Sequence, residues 1–172
     1  MGGKRIGILG TGSFLPERVL SNFDLEKILN TNDEWIYKRT GIKERRIAAP
    51  DVNASDLAKE ASLRAMEMAG ISVEDIDLII MTTMTPDTAC PSGANWLEAK
   101  LGAQKAVSFD VTAACSGFVF GLSVAEQYLK TSAYKTVLVA SVEIMSRTLD
   151  WTDRESCILW GGRGRSGGPS CL

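Results

Sequence analysis

Histidine is absent from all 172 residues. That excludes a Ser-His-Asp or Cys-His nucleophile pair within this chain, and any histidine-ligated metal. Cysteine is sparse. Cys90, Cys115, Cys157 and Cys171 form no C-x-x-C pair, so neither a disulfide framework nor a zinc site is expected. The expected compartment is the reducing cytoplasm. No run of about 18 apolar residues occurs, which argues against a membrane span. The basic start, Met1-Gly-Gly-Lys-Arg-Ile, leads into a short apolar stretch broken by glycine, so no signal peptide is expected. A formal net charge of −2 leaves no excess of either sign to draw nucleic acid or a membrane surface. What remains, 45% hydrophobic and 23% charged residues, is the composition of a globular domain.

The most informative stretch is Ala106 to Lys130. Ala106 to Thr112 is a short apolar run rich in β-branched and aromatic residues, and reads as a buried strand. Ala113 to Gly117 are all small. From Gly117 the pattern turns helical and apolar nearly all round, through Phe118, Val119, Leu122, Ala125 and Leu129, which reads as a buried helix. Cys115 therefore falls where a strand becomes a helix. The first N–H groups of a helix lack internal partners and carry partial positive charge, a setting that favours thiolate over thiol. Two readings stand side by side: a nucleophile, or a small buried residue of no reactivity.

Strand and helix signals alternate along the chain. Strands are expected over Arg5–Thr11, Asp75–Met84, Ala106–Thr112 and Thr136–Ser141. A helix capped by Ser21 or Asn22 runs to about Asn30. Thr31-Asn-Asp-Glu34 reads as a capping box that opens a helix carrying Trp35 and Arg39, closed by Gly41. Ser55–Ala69 reads as amphipathic, with Ala58, Ala61, Ala65 and Met68 inward and Glu60 paired to Arg64 outside. Cys90-Pro-Ser-Gly93 leads into a helix that ends near Leu101. Together these predict an α/β fold with helices on both faces of the sheet.

Two further patterns bear on function. Gly10-Thr-Gly12 invites a dinucleotide reading, but the third glycine position holds Leu15 and Pro16 follows, so that reading is rejected. Lys38, Arg39, Lys43, Arg45 and Arg46 stand against the single acid Glu44. This run is either a solvated face or an anion-binding rim with Trp35 as a stacking platform. Gly161–Leu172 has five glycines in twelve residues and no apolar period, and reads as a disordered tail.

Several segments, taken in order, resemble one family. They are Gly7-Ile-Leu-Gly-Thr-Gly-Ser13, Asn32-Asp-Glu-Trp-Ile36, Arg39-Thr-Gly-Ile42 with Glu44-Arg-Arg46, Ser108-Phe-Asp110 with Thr112-Ala-Ala-Cys-Ser-Gly-Phe118, and Thr148-Leu-Asp-Trp-Thr-Asp-Arg154. This set resembles β-ketoacyl-acyl carrier protein synthase III, the condensing enzyme that starts type II fatty acid synthesis. The resemblance spans about residues 4–160. It implies a thiolase-like fold, here the N-terminal half of a layered αβαβα architecture: residues 1–160 form that half, followed by a 161–172 tail.

The resemblance also implies roles. Cys115 would take an acyl group from acyl-coenzyme A and then condense it with malonyl-acyl carrier protein. Trp35 and Arg154 would sandwich the coenzyme's adenine, with Thr31 nearby and Arg39 at the phosphate end. Cys90 would sit at a homodimer contact and enter the other subunit's acyl pocket. Acyl-coenzyme A is a substrate, so no separate cofactor and no metal are expected, and neither nucleic acid nor membrane is an expected partner. The family's histidine and asparagine lie in the second half, so the chain alone is not expected to condense. A Gly-Asp-Gly-Ala-Gly segment expected after Trp160 is missing. A one-base shift of reading frame is compatible with that segment, so 161–172 is expected to be frameshifted or disordered.

Overall fold

The computed structural model describes residues 6–160 and 167–171. In chain order the elements are β1 (Gly10–Thr11), β2 (Arg18–Ser21), α1 (Asn22–Glu26), α2 (Asp33–Thr40), β3 (Glu44–Ile47), α3 (Ala54–Ala69), β4 (Leu78–Thr82), α4 (Gly93–Leu101), β5 (Val107–Val111), α5 (Gly117–Lys130), β6 (Val137–Ser141), α6 (Arg154–Trp160) and β7 (Gly167–Cys171). They divide into two units. A sheet unit holds the residues before Leu15, Asn53–Glu143 and β7. A ribbon unit holds Leu15–Val52 and the stretch from Ile144 through α6.

The sheet unit is a five-stranded sheet in the order β1-β7-β6-β4-β5. β4 runs parallel to both β5 and β6, while β7 runs antiparallel to β6 and β1. All five residues of β4 are buried, as a central strand covered on both faces requires. Its alternate side chains serve opposite layers. Leu78 and Ile80, with Val137 and Val139 of β6, pack on Ala125 and Leu129 of α5. Met81 faces the other way and meets the start of α4 at Gly93.

Glycines set the spacing of these layers. A Cβ on Gly10 or Gly12 would collide with the α3 backbone at Ala65 or Ala61. The Gly-Thr-Gly pattern is thus a close-packing device between β1 and α3, consistent with its rejection as a dinucleotide loop. Gly121 does the same for α5, where a Cβ would lie 2.8 Å from Thr82 Cγ2 and 3.0 Å from Val139 Cγ1.

The ribbon unit joins β2 and β3 as an antiparallel pair and folds α1, α2 and α6 around a small core. That core is Leu25, Leu29, Ile36, Cys157 and Ile158, with Leu20, Trp35 and Trp151 against it. Ser21 caps α1 in a capping box with Asp24. Gly41 closes α2 at φ +67°, a left-handed conformation that glycine adopts freely.

Several expectations are corrected. The first strand is only Gly10–Thr11, because Ile8 and Leu9 are exposed instead of paired. The first helix stops at Glu26, well short of Asn30. The cap of α2 is Asn32, whose Oδ1 accepts from Trp35 N at 2.8 Å, so Thr31-x-x-Glu34 is not its capping box. On α3, Met66 is buried while Met68 is 68% exposed, and Arg64 reaches Ser13 O at 2.7 Å and lies over Phe14 instead of pairing with Glu60.

Strand β5 is not buried but half-exposed, because it lies at the sheet edge with one neighbour. Helix α5 is not buried all round either. Gly117, Gly121, Ala125 and Leu129 face the sheet, while Val119 is 67% and Phe120 56% exposed. Of the stretch expected to be a tail, Gly167–Cys171 form β7 between β6 and β1, and 161–166 and 172 lie outside the described residues.

Candidate active site

Cys115 lies in the sheet unit, in a single 3-10 turn, Ala114–Ser116, that links β5 to α5. The approach to that turn is sharp. Thr112 Oγ1 donates to Thr83 O at 3.2 Å, and Thr83 N donates to Val111 O at 3.2 Å, which ties the end of β5 to the end of β4. Ala114 then takes φ +47°, a left-handed conformation that costs a residue with a Cβ about 1–2 kcal/mol. Ser116 N donates back to Ala113 O at 3.1 Å and closes the turn. The result displays the Cys115 thiol to solvent, directly before a 14-residue helix.

No side chain caps that helix. The N–H of Gly117, the first residue of that helix, donates back to Ala114 O and carries the turn into the helix. Ala113 and Ala114 beside Cys115 are small, and Gly117 lies against Thr82 of the sheet. The chain has no histidine to accept the thiol proton. The other cysteines differ. Cys157 is buried, donates to Asp150 O at 3.2 Å, and has its thiol pushed up by that burial. Cys90 is exposed in the loop before α4.

Two acids brace this region, and the sequence reading did not single out either. Asp110 on β5 accepts from Gly93 N at 2.8 Å and Ala94 N at 2.7 Å, so it caps α4 across the sheet edge. Glu143 accepts from Met84 N and Thr85 Oγ1, both at 2.8 Å, and holds the loop after β4. The signal available for Asp110 was a lone acid inside an apolar strand.

The ribbon unit holds the other expected site residues. Arg39 and Arg154 each place the guanidinium carbon 4.5 Å from the Trp35 ring centroid. Trp35 and Arg39 come from α2, one turn apart. Arg154 opens α6 and donates to Asn30 O at 3.3 Å. Two cations on one indole make a charged, planar stacking site. A base entering against the ring must take the place of one guanidinium. Thr31 lies just before α2, and its Oγ1 is buried with no partner among the described residues.

The basic run does not form one rim. Lys43 lies over Tyr37 at 5.0 Å, and Arg46 donates to Pro16 O and Glu17 O at 3.3 and 3.4 Å. Arg45 is only 1% exposed and leaves the rim altogether. The reason is strand periodicity: in Glu44-Arg-Arg-Ile47 the inward face carries Ile47, and the residue two positions earlier must share it. That alternation was the sequence signal for a buried arginine. Burial pulls its guanidinium below its ordinary value without an acid in contact to restore it.

The ribbon unit also has a cavity of about 460 Å³, lined chiefly by Leu20, Ile28, Ile47, Pro50 and Trp151. Arg147 closes one side by donating to the Ala49, Pro50 and Val52 carbonyls. Among the described residues no helix is long and apolar enough to cross a membrane, and no cluster of acid, cysteine and histidine side chains could hold a metal.

Comparison with known proteins adds a family to this geometry. Residues 109–164, which contain Cys115 and Arg154, match the family described as 3-oxoacyl-[acyl-carrier-protein] synthase III. The β-ketoacyl-[acyl-carrier-protein] synthase III of Caldanaerobacter subterraneus is 54% identical over 155 residues, covering 90% of this chain and 47% of that protein. The crystal structure of the 3-oxoacyl-[acyl-carrier-protein] synthase III of Aquifex aeolicus superposes with a TM-score of 0.89 at 45% identity, over 95% of this chain and 52% of that one. The priming β-ketosynthase of a polyketide biosynthetic pathway superposes with a TM-score of 0.89 at 35% identity, over 98% and 52%. The chain thus spans about half the length of the relatives it matches, and its α/β fold is thiolase-like.

Proposed function

We propose that this chain, which by sequence and fold belongs to the β-ketoacyl-[acyl-carrier-protein] synthase III family, is the acyl-accepting half of such an enzyme. Cys115 takes an acyl group from acyl-coenzyme A. Its sulfur attacks the thioester carbonyl, a C–S bond forms on Cys115, and the coenzyme departs as its thiolate. In the whole enzyme the acyl group then condenses with malonyl-acyl carrier protein as carbon dioxide leaves. That step needs donors that stabilise a carbanion, and a chain without histidine supplies no imidazole for it.

One observation carries this reading: Cys115 lies inside the matched segment and stands exposed at the uncapped start of α5. The stacked Arg39–Trp35–Arg154 set supports binding of the coenzyme's adenine and phosphates, with Thr31 offering a free hydroxyl. The exposed apolar residues Val107, Val119 and Phe120 on the sheet edge and α5 support a homodimer. Cys90 is assigned to the dimer contact and the acyl pocket. The setting is the cytoplasm, and acyl-coenzyme A serves as substrate without a further cofactor.

The test is intact mass of the chain after incubation with acetyl-coenzyme A, followed by malonyl-acyl carrier protein. The expected outcome is one acyl group per chain, absent in Cys115→Ala, and no 3-oxoacyl product. Product formed by this chain alone would overturn the division of labour between the halves. A second reading, a coenzyme A or carrier-protein binding fragment without chemistry, is favoured by the missing histidine and gives binding with no mass change. A third, a thiolase-superfamily acyltransferase of different use, is favoured by the likeness to the polyketide priming enzyme. It predicts labelling from acyl-coenzyme A donors other than acetyl. Cys90→Phe is expected to narrow the acyl chains accepted, and an unchanged preference would sink that assignment.

A further inference from the structure

The ribbon unit buries one arginine that the proposed chemistry does not use. Arg45 is among the largest fully buried side chains, and no carboxylate among the described residues pairs with it. Packing does not explain it, because an apolar side chain of similar volume costs less to bury than a cation. Its hydrogen bonds do suggest an explanation. Nη2 donates to Ile158 O at 2.8 Å. Ile158 lies in the last turn of α6, where carbonyls lack intrahelical donors and the helix carries partial negative charge. Nη1 donates to Asn22 Oδ1. Asn22 in turn donates from Nδ2 to Asp33 Oδ1 at 2.8 Å and to Ile42 O at 2.7 Å. Asp33 is the first residue of α2, and its own N–H is held by Glu26 Oε1 at 2.6 Å.

A continuous polar chain therefore runs from α6 through Arg45 and Asn22 to α2. Those two helices carry the two sides of the stacked site, Arg154 on α6 and Trp35 on α2. Asn22 is a neutral amide between a cation and a carboxylate, oriented by both ends. Arginine suits the middle because its planar fork spans two acceptors in fixed directions, which a lysine nitrogen does not.

We infer that Arg45 is a positioning residue for the nucleotide end of the coenzyme: it fixes α6 against α2 and so sets where Arg154 stands relative to the Trp35 ring. This rests on the proposed reading of Trp35 and Arg154 as the adenine site. The role is separable from Cys115 chemistry, since an acyl-pantetheine lacks the nucleotide and does not need the stacked pair.

The experiment compares acylation of Cys115 by acetyl-coenzyme A and by acetyl-pantetheine, in the whole chain and in Arg45→Lys. In the unchanged protein the coenzyme is expected to reach half-maximal rate at a far lower concentration than the pantetheine. Arg45→Lys is expected to raise that concentration by about tenfold for acetyl-coenzyme A, as the loss of one or two hydrogen bonds implies. It should leave the rate at saturation and the whole acetyl-pantetheine curve unchanged. Asp33→Ala, which removes the acceptor of Asn22 Nδ2 at the far end of the chain, should give the same split, and it serves where Arg45→Lys does not fold. Equal loss with both donors, or no change with either, overturns the positioning role. No preference for coenzyme A in the unchanged protein instead overturns the adenine site itself, and this inference with it.

Discussion

The two units position their functional side chains by opposite means. In the sheet unit, Cys115 is set by shape. Gly117 and Gly121 let α5 settle onto Thr82 and Val139, and a left-handed Ala114 turns the chain into the helix. In the ribbon unit, Trp35 and Arg154 are set by directed polar contacts through Arg45, Asn22 and Asp33. Shape tolerates changes of charge and fails on changes of volume. A hydrogen-bonded chain does the reverse, because its energy lies in direction and satisfaction. The same protein should therefore give two distinct mutational signatures.

The largest effect is expected at the closest approach of backbone to backbone. Gly12→Leu forces a side chain into the α3 main chain at Ala61, which has no flexible end to yield. A loss of about 3 kcal/mol or more is expected in urea unfolding. A loss under about 1 kcal/mol would break the claim that shape governs this unit.

Trp35→Ala should act next, on binding and, because the ring also packs against the small core of the ribbon unit, on that unit's stability. Removing a stacking platform typically costs about 1–3 kcal/mol per base, so affinity for adenosine 3′,5′-bisphosphate should fall accordingly in titration calorimetry. Acylation of Cys115 from acetyl-pantetheine should not change. If it does, the two regions are not separable as described.

Gly121→Ala is the graded version of the first test. Its Cβ meets the ends of Thr82 and Val139, which can shift, so a cost of about 1–2 kcal/mol is expected. Phe120→Ser is the mildest. Its exposed ring does not face the sheet, so stability should hold within about 0.5 kcal/mol. Self-association seen by sedimentation should fall, because an apolar patch is removed from the surface. Undiminished association would mean that α5 is not the associating face.

Much of this division was legible in the sequence, for physical reasons that differ by element. The central strand Leu78–Thr82 is apolar throughout, and the helix Ala54–Ala69 repeats alanine at helical spacing, so both are written in composition and period. The Cys115 turn was visible as small residues between strand and helix. Edge position was not visible. Val107-Ser-Phe-Asp-Val111 alternates apolar with polar residues, which marks a strand with one open face, and the order of strands shows that it has one neighbour. The outward face of α5 was misread, since Val119 and Phe120 suit burial and yet lie open.

The polar chain was hidden differently. Arg45 sits in a run of charges that invites a surface reading, and its burial follows only from counting two residues back from Ile47. The cap of α2 shows how local rules compete. Thr31 and Asn32 are both good caps, and the backbone selected Asn32.

The most direct measurement is a peptide map of the chain after incubation with radiolabelled acyl-coenzyme A. Three of the four cysteines act as one another's controls: Cys115 exposed at a helix start, Cys90 exposed in a loop, and Cys157 buried. The account predicts label on the Cys115 peptide and on neither of the others. Label on Cys90 at an equal rate, or no stable label on Cys115, would contradict it.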